Sequence, residues 1–371
     1  MARLARARMA TSAPLGTAAP RASSHSSSAR PPPALAGGDG PSTLMSHLGA
    51  EHSHGRGLLG FLTHEGAMRT LSGVCRELRR EVGAFRWPVV VLKGHTGMVR
   101  GVCALADGRV VSASDDCTLR VWNVTTGACE YVLVGHTGVV YGVCALVDGL
   151  VVSASADSTL RVWSVATGAC ERVLRGHTSE INGVCVVAGR IVSASDDDNT
   201  LRVWDAASGV CERVLHGHAG YVLSVCALPN VIEVVSASAD RTLRVWNIAT
   251  GACDRVLAGH TARVYGVCAL ADGRVVSASV DRTLRLWNGA TGACERVLLG
   301  HTSYVVGVCV LSDGRVASAS FDHTLRVWSV ATGACERVLT GHTAAVWGVC
   351  TLTDGRIASA SVDKTVRVWR L

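Results

Sequence analysis

The chain has 371 residues, 48% of them apolar, and carries 36 basic against 29 acidic side chains. No apolar run reaches 18 residues, which excludes a helix that crosses a membrane. The net charge of +7 is unevenly placed: residues 1–87 hold 11 Arg and five acids, while the remainder holds 25 basic and 24 acidic residues, so its bulk charge gives no reason to expect a nucleic-acid partner.

Residues 1–46 are built from Ala, Ser, Pro, Gly and Arg with no acid before Asp39. Such a segment cannot bury a core and reads as a disordered low-complexity tail. Its Arg-rich, acid-poor composition also fits an organelle transit peptide, and Met45 or Met68 would serve as alternative starts. Residues 57–86 differ. Met68, Leu71, Val74, Cys75, Leu78 and Val82 recur at helical spacing, and Gly83 is a suitable stop. The run LSGVCRELRREV within them resembles the latter half of an F-box, the helical module that docks onto an Skp1-type adaptor of cullin ubiquitin ligases. A helix with only a structural role is the other reading of the same residues.

From residue 87 onward one pattern recurs seven times at a spacing of 41 or 42 residues: Gly-His, an apolar run ending in Ser-Ala-Ser, an Asp, and a closing Trp. The copies lie near 94–134, 135–175, 176–216, 217–258, 259–299, 300–340 and 341–371. In the first, Val99 to Leu105 reads as an inner strand, Asp107-Gly108 as a two-residue hairpin turn, Val110 to Ser114 as a second strand, Thr118 to Trp122 as a third and Cys129 to Val134 as an outer one. The seventh copy stops one strand short, and residues 88–92 form an extra strand before the first Gly-His, so pairing the two would close a ring and remove its open edge. Thirteen of the 15 cysteines fall on two fixed repeat positions, eight residues after each His and at the start of each outer strand. That placement implies structural thiols in a reducing compartment, rather than disulfides or zinc, and so a cytoplasmic protein, with the nucleus as the alternative.

A Gly-His to Trp repeat of this length resembles the WD40 repeat family, and the resemblance covers residues 87–371. It implies an all-β fold, a seven-bladed propeller with one four-stranded blade per copy. It also implies that the recurrent His, Ser, Asp and Trp form one buried hydrogen-bond chain per blade. The sets are His95, Ser114, Asp116, Trp122; His136, Ser155, Asp157, Trp163; His177, Ser195, Asp198, Trp204; His218, Ser238, Asp240, Trp246; His260, Ser279, Asp281, Trp287; His301, Ser320, Asp322, Trp328; and His342, Ser361, Asp363, Trp369. The second serine of each Ser-Ala-Ser is chosen because it lies nearer the Asp turn. Seven equal sets point to scaffolding, since catalysis needs one cleft and one nucleophile; no enzyme activity, cofactor, metal or small-molecule substrate is expected.

Positions that vary among near-identical copies carry the individuality of the protein. Three and five residues after each His, side chains should face the mouth of the central channel, with the residue between them buried. Together with the residue preceding the turn Asp, these positions supply Arg100, Asp115, Tyr141, Glu180, Asn182, Asp197, Tyr221, Leu223, Arg263, Tyr265, Tyr304, Phe321 and Trp347. Aromatics gathered on one rim predict a surface that binds a protein or peptide partner. The expected function is a non-catalytic scaffold binding such a partner on this top face. The alternative is the substrate-recognition subunit of a cullin-type ubiquitin ligase that engages an Skp1-type adaptor through residues 57–86.

Overall fold

The computed structural model describes residues 89–230 and 232–371. The tail at 1–46 and the helical run at 57–86 lie outside the described residues. Short runs of Val, Leu and Ile, punctuated by Gly and Asp, become strands of four to seven residues. Among the described residues they form seven four-stranded antiparallel sheets. In the first repeat the strands are Val99–Ala104, Val110–Ser114, Thr118–Trp122 and Cys129–Val134, running from the channel to the circumference. No described residue lies in an α-helix.

Each sheet is sandwiched between two others, which explains why its second strand, Val-Val-Ser-Ala-Ser in the first blade, is buried on both faces. Val110 packs with Leu92, Ala358 and Val366 on one side, whereas its neighbour Val111 packs with Val140, Val151 and Trp163 on the other. Each framework Trp therefore seals the joint with the preceding blade: Trp122 lies among Ala358, Val366 and Val368, and Trp163 among Val111, Leu119 and Leu133. Burying one such indole contributes roughly 2–3 kcal/mol. Cys103 fills the same joint, and burial pushes its thiol well up.

The sheets form a closed ring because their inner strands approach one another closely. A Cβ on Gly101 would stand 2.8 Å from the carbonyl oxygen of Tyr141, one on Gly307 2.6 Å from that of Trp347, and one on Gly348 2.8 Å from that of Arg100, which joins the last blade to the first. Only glycine fits such a contact, and the fourth repeat, with Ser224 here, is the exception. Val90–Lys93 lies on the outer edge of the seventh sheet, antiparallel to Thr365–Trp369, with Val90 opposite Val368 and Lys93 opposite Thr365.

The hairpins between inner and second strands come in two forms. In the second and third repeats, Asp148-Gly149 and Ala188-Gly189 both have positive φ, the two-residue turn that the sequence reading assigned to Asp107-Gly108 of the first. In the first, fifth, sixth and seventh the glycine alone is left-handed, and a three-residue loop forms, as in the Leu105 to Arg109 pairing. This corrects the expectation for those blades. The cause is the residue after Gly: Asp107 Oδ1 accepts the Arg109 amide at 3.0 Å and Asp107 Oδ2 accepts Arg109 Nε at 2.9 Å, a pairing repeated at Asp272–Arg274, Asp313–Arg315 and Asp354–Arg356. Holding Asp this way keeps it out of the left-handed region. Leu150 in the second repeat cannot do so.

Candidate protein-binding face

Four side chains in every blade form one hydrogen-bond chain, and its geometry repeats closely. His95 Nδ1 lies 2.8 Å from Asp116 Oδ2, His95 Nε2 2.7 Å from Ser112 Oγ, and Trp122 Nε1 donates to the same Oγ at 2.8 Å. A carboxylate can only accept, so Nδ1 carries the proton, the Ser hydroxyl donates to Nε2, and the indole donates to Ser. The serine is the first of each Ser-Ala-Ser, which corrects the choice made from sequence. Ser112, Ser153, Ser193, Ser236, Ser277, Ser318 and Ser359 occupy the chain. Ser114, Ser155, Ser195, Ser238, Ser279, Ser320 and Ser361 do not. Register is the reason: Trp122 stands opposite Val110, so its diagonal neighbour on the same face is Ser112, and Ser114 is a further two residues up the strand. The second serines instead brace the top turn, as where Ser238 Oγ donates to Gly220 O at 3.0 Å and accepts the Asp240 amide at 3.1 Å.

A threonine two residues beyond the Asp also belongs to the set, and the sequence reading missed it. Thr118 Oγ1 donates to Asp116 Oδ1 at 2.6 Å, and the Thr96 amide donates to Oδ2 at 3.0 Å. Burial would push these carboxyls up, but the hydrogen bonds from Thr and His outweigh it, and Asp363 is held down at about 2. Burial conversely lowers His95 and His342 against the pull of their Asp partners, which favours neutral imidazole. The same arrangement in all seven blades leaves no single set exposed to a substrate.

The chain also fixes where the Gly-His loop ends and the inner strand begins. The residue four beyond each His is buried throughout: Val99, Val140, Ile181, Val222, Val264, Val305 and Val346. The residue five beyond sits on a β-bulge in every blade, for the register jumps between Val99 and Gly101 and at the equivalent place in the other six. A bulge re-aims its side chain, here into the mouth of the channel. That opening measures about 450 Å³ and is lined by Arg100, Tyr141, Glu180, Asn182, Tyr221, Leu223, Arg263, Tyr265 and Trp347. Val306, also on a bulge, is buried.

Tyr304 and Phe321 lie beside the opening and extend it as an aromatic run. Ring centroids are 5.7 Å apart for Tyr304 and Phe321, 5.0 Å for Phe321 and Trp347, and 6.0 Å for Trp347 and Tyr265. Tyr304 is 46% exposed at the outer end of this run. Arg100 stacks on the run at Trp347, its guanidinium 4.5 Å from that ring centroid, and pairs with both oxygens of Asp115 at 2.7 and 2.9 Å. Asp115 is thereby occupied. Tyr141 donates its hydroxyl to Glu180 Oε2 at 2.8 Å, and burial followed by that bond raises its pKa. Asn182 Nδ2 reaches Val222 O at 3.4 Å.

One rim residue was misplaced by a single position. The extra residue of the third repeat shifts the turn, so Asp196, whose amide bonds Glu180 O, takes the place that Asp115 holds in the first blade. Asp196 lines the opening; Asp197 is exposed beyond it. Burial, with Asp197 and Glu180 nearby, raises the Asp196 pKa.

Comparison with known proteins agrees with this architecture. The family description "WD domain, G-beta repeat" (WD40) matches residues 86–123, 127–164, 168–205, 209–247, 251–288, 292–329 and 333–370. The solved WD40 β-propeller domain of Doa1 superposes with a TM-score of 0.69 at 26% identity, covering 76% of this chain and 95% of that one. Nuclear distribution protein PAC1-2 of Uncinocarpus reesii is 41% identical over 83 residues, a stretch that makes up 20% of this chain and 18% of that protein. With seven matches spanning most of its length, the chain belongs to the WD40 family.

Proposed function

We propose that this propeller is a non-catalytic scaffold that binds a segment of a protein partner across its top face. The continuous aromatic run Tyr304, Phe321, Trp347, Tyr265, set at the mouth of the channel on residues that vary between blades, carries the reading. Side chains needed only for the framework repeat; these do not. A few partly exposed aromatics dominate most protein interfaces. Tyr265→Ala or Trp347→Ala should each cost on the order of 2 kcal/mol, roughly thirtyfold in affinity. A binding isotherm for a partner captured from cells would measure it, with Val256→Ser on the exposed outer strand as the neutral control. Full affinity in the folded Tyr265→Ala, Trp347→Ala double variant would place the site elsewhere.

The ligase-receptor alternative rests on the run at residues 71–82, outside the described residues, and stands or falls on whether the chain binds an Skp1-type adaptor. A reducing compartment such as the cytoplasm suits inner-strand thiols that burial keeps protonated, with Cys226 pushed up to about 12 and Cys309 to about 11.

A further inference from the structure

The turn between second and third strands places the residue after each framework Asp at a left-handed backbone conformation on the top face. In the first three blades Cys117, Ser158 and Asn199 occupy it, with φ of 64°, 63° and 51°. In the next four the occupants are Arg241, Arg282, His323 and Lys364, at 71°, 71°, 69° and 66°. The turn itself asks for glycine or asparagine, because a β-carbon in this region costs roughly 1 kcal/mol. Four consecutive blades keep a long, nitrogen-bearing side chain where the backbone would do better without one. Local strain retained in this way points to a use for the side chain.

These four side chains are exposed and have no partner among the described residues. The hairpin arginines at the opposite end, such as Arg109 and Arg315, are instead tied to their own aspartates at 2.8 and 2.7 Å. With Arg263, also exposed, the four make a basic crescent over blades four to seven, the same sector that holds Tyr265, Tyr304, Phe321 and Trp347. Outside the framework chains, the acids of the top face among the described residues are Asp115, already paired with Arg100, and Glu180, Asp196 and Asp197 in the third blade, where Asp196 faces Arg263 across the opening and the other four basic side chains have no such neighbour.

We propose that the partner segment is acidic: its carboxylates lie over Arg241, Arg282, His323 and Lys364 while an apolar side chain between them meets the aromatic run. The proposal rests on the top-face reading above and adds the chemistry of the ligand. A nucleic acid fits less well, because a continuous polyanion crossing the mouth would meet Glu180, Asp196 and Asp197. A peptide can place its charges on one side only.

The test is selection of a randomised peptide library on the full chain, followed by fluorescence anisotropy of two selected peptides. The expected result is an excess of Asp and Glu flanking an apolar residue, with affinity that falls as salt rises. Replacing all four by glycine (R241G, R282G, H323G, K364G) should weaken binding about tenfold or more while the melting temperature stays level or rises, since glycine relieves the left-handed turn. A merely structural role would show the reverse. Selected peptides without acidic bias, or full affinity in the glycine variant while W347A loses binding, would overturn this proposal and leave the top-face reading intact. Failure to select any peptide, or full affinity in both the glycine and the Y265A, W347A variants, would overturn both. Tighter binding of a single-stranded oligonucleotide than of the selected peptides would also overturn it, in favour of a nucleic-acid ligand.

Discussion

Two serines two residues apart, both buried and on the same face of one strand, have different work in this fold. Ser277 Oγ serves two buried aromatic groups at once, the His260 ring at 2.7 Å and the Trp287 indole at 2.8 Å. Ser279 bonds only backbone groups at the turn. Ser277→Ala leaves the indole N–H and one imidazole nitrogen buried without partners, a loss of about 1–3 kcal/mol per orphaned group. Ser279→Ala should cost less, because the turn groups it serves lie nearer to solvent. Denaturant midpoints of the two variants decide the ranking; an equal or smaller loss for Ser277→Ala would contradict the assigned chain. The choice of serine was not legible in the sequence, since alternation gives both the same face and only register against Trp287 separates them. Arg241, Arg282, His323 and Lys364 share one repeat position that the sequence displays, but nothing in it shows that their backbone is left-handed. Asp196 escaped notice because one inserted residue moved the count by one.

At the scale of the strand, the bulge five residues after each His decides what the mouth of the channel displays. Period-2 reasoning placed these side chains at the rim, while the bulge that aims them leaves no trace in hydrophobic alternation. The glycine that follows it in six repeats is the visible sign, because it permits the next inner strand to approach. The outer strand of the seventh blade depends on a piece of chain distant in sequence. Leu92, 1% exposed, lies in the joint with Val99, Val110, Trp122 and Val366. Leu92→Ala should cost about 2–5 kcal/mol by cavity formation. Removing residues 88–92 should go further, leaving Thr365–Trp369 as an open edge, with lost cooperativity and aggregation on heating. An unchanged monomeric melt after that deletion would show that the strand does not hold the ring closed.

For the whole molecule, what matters is that one titrating arrangement is present seven times in a single closed ring. Each framework Asp has a folded-state pKa below its unfolded value near about 4, so its contribution is complete above that pH and is lost as pH falls through the folded value, about 2 for Asp363. His95 and His342 act in the same direction, for burial lowers them beneath the unfolded value near about 6.5, and the unfolded chain takes up their protons first. Asp196 opposes them, since its raised pKa makes protonation favour the fold, but it is one group against many. Seven carboxylates held down in the same way make the acid limb of stability steep. The melting temperature should therefore fall gently below about pH 6.5 and steeply below about pH 4, with unfolding as one cooperative step because each blade packs between two others in the closed ring. Asp281→Asn, which keeps the acceptor oxygen and removes the charge, should flatten the acid limb by about one part in seven while lowering stability at neutral pH. A melting temperature that stays level from pH 7 down to pH 3 would mean that these carboxylates are not the groups that hold the ring together.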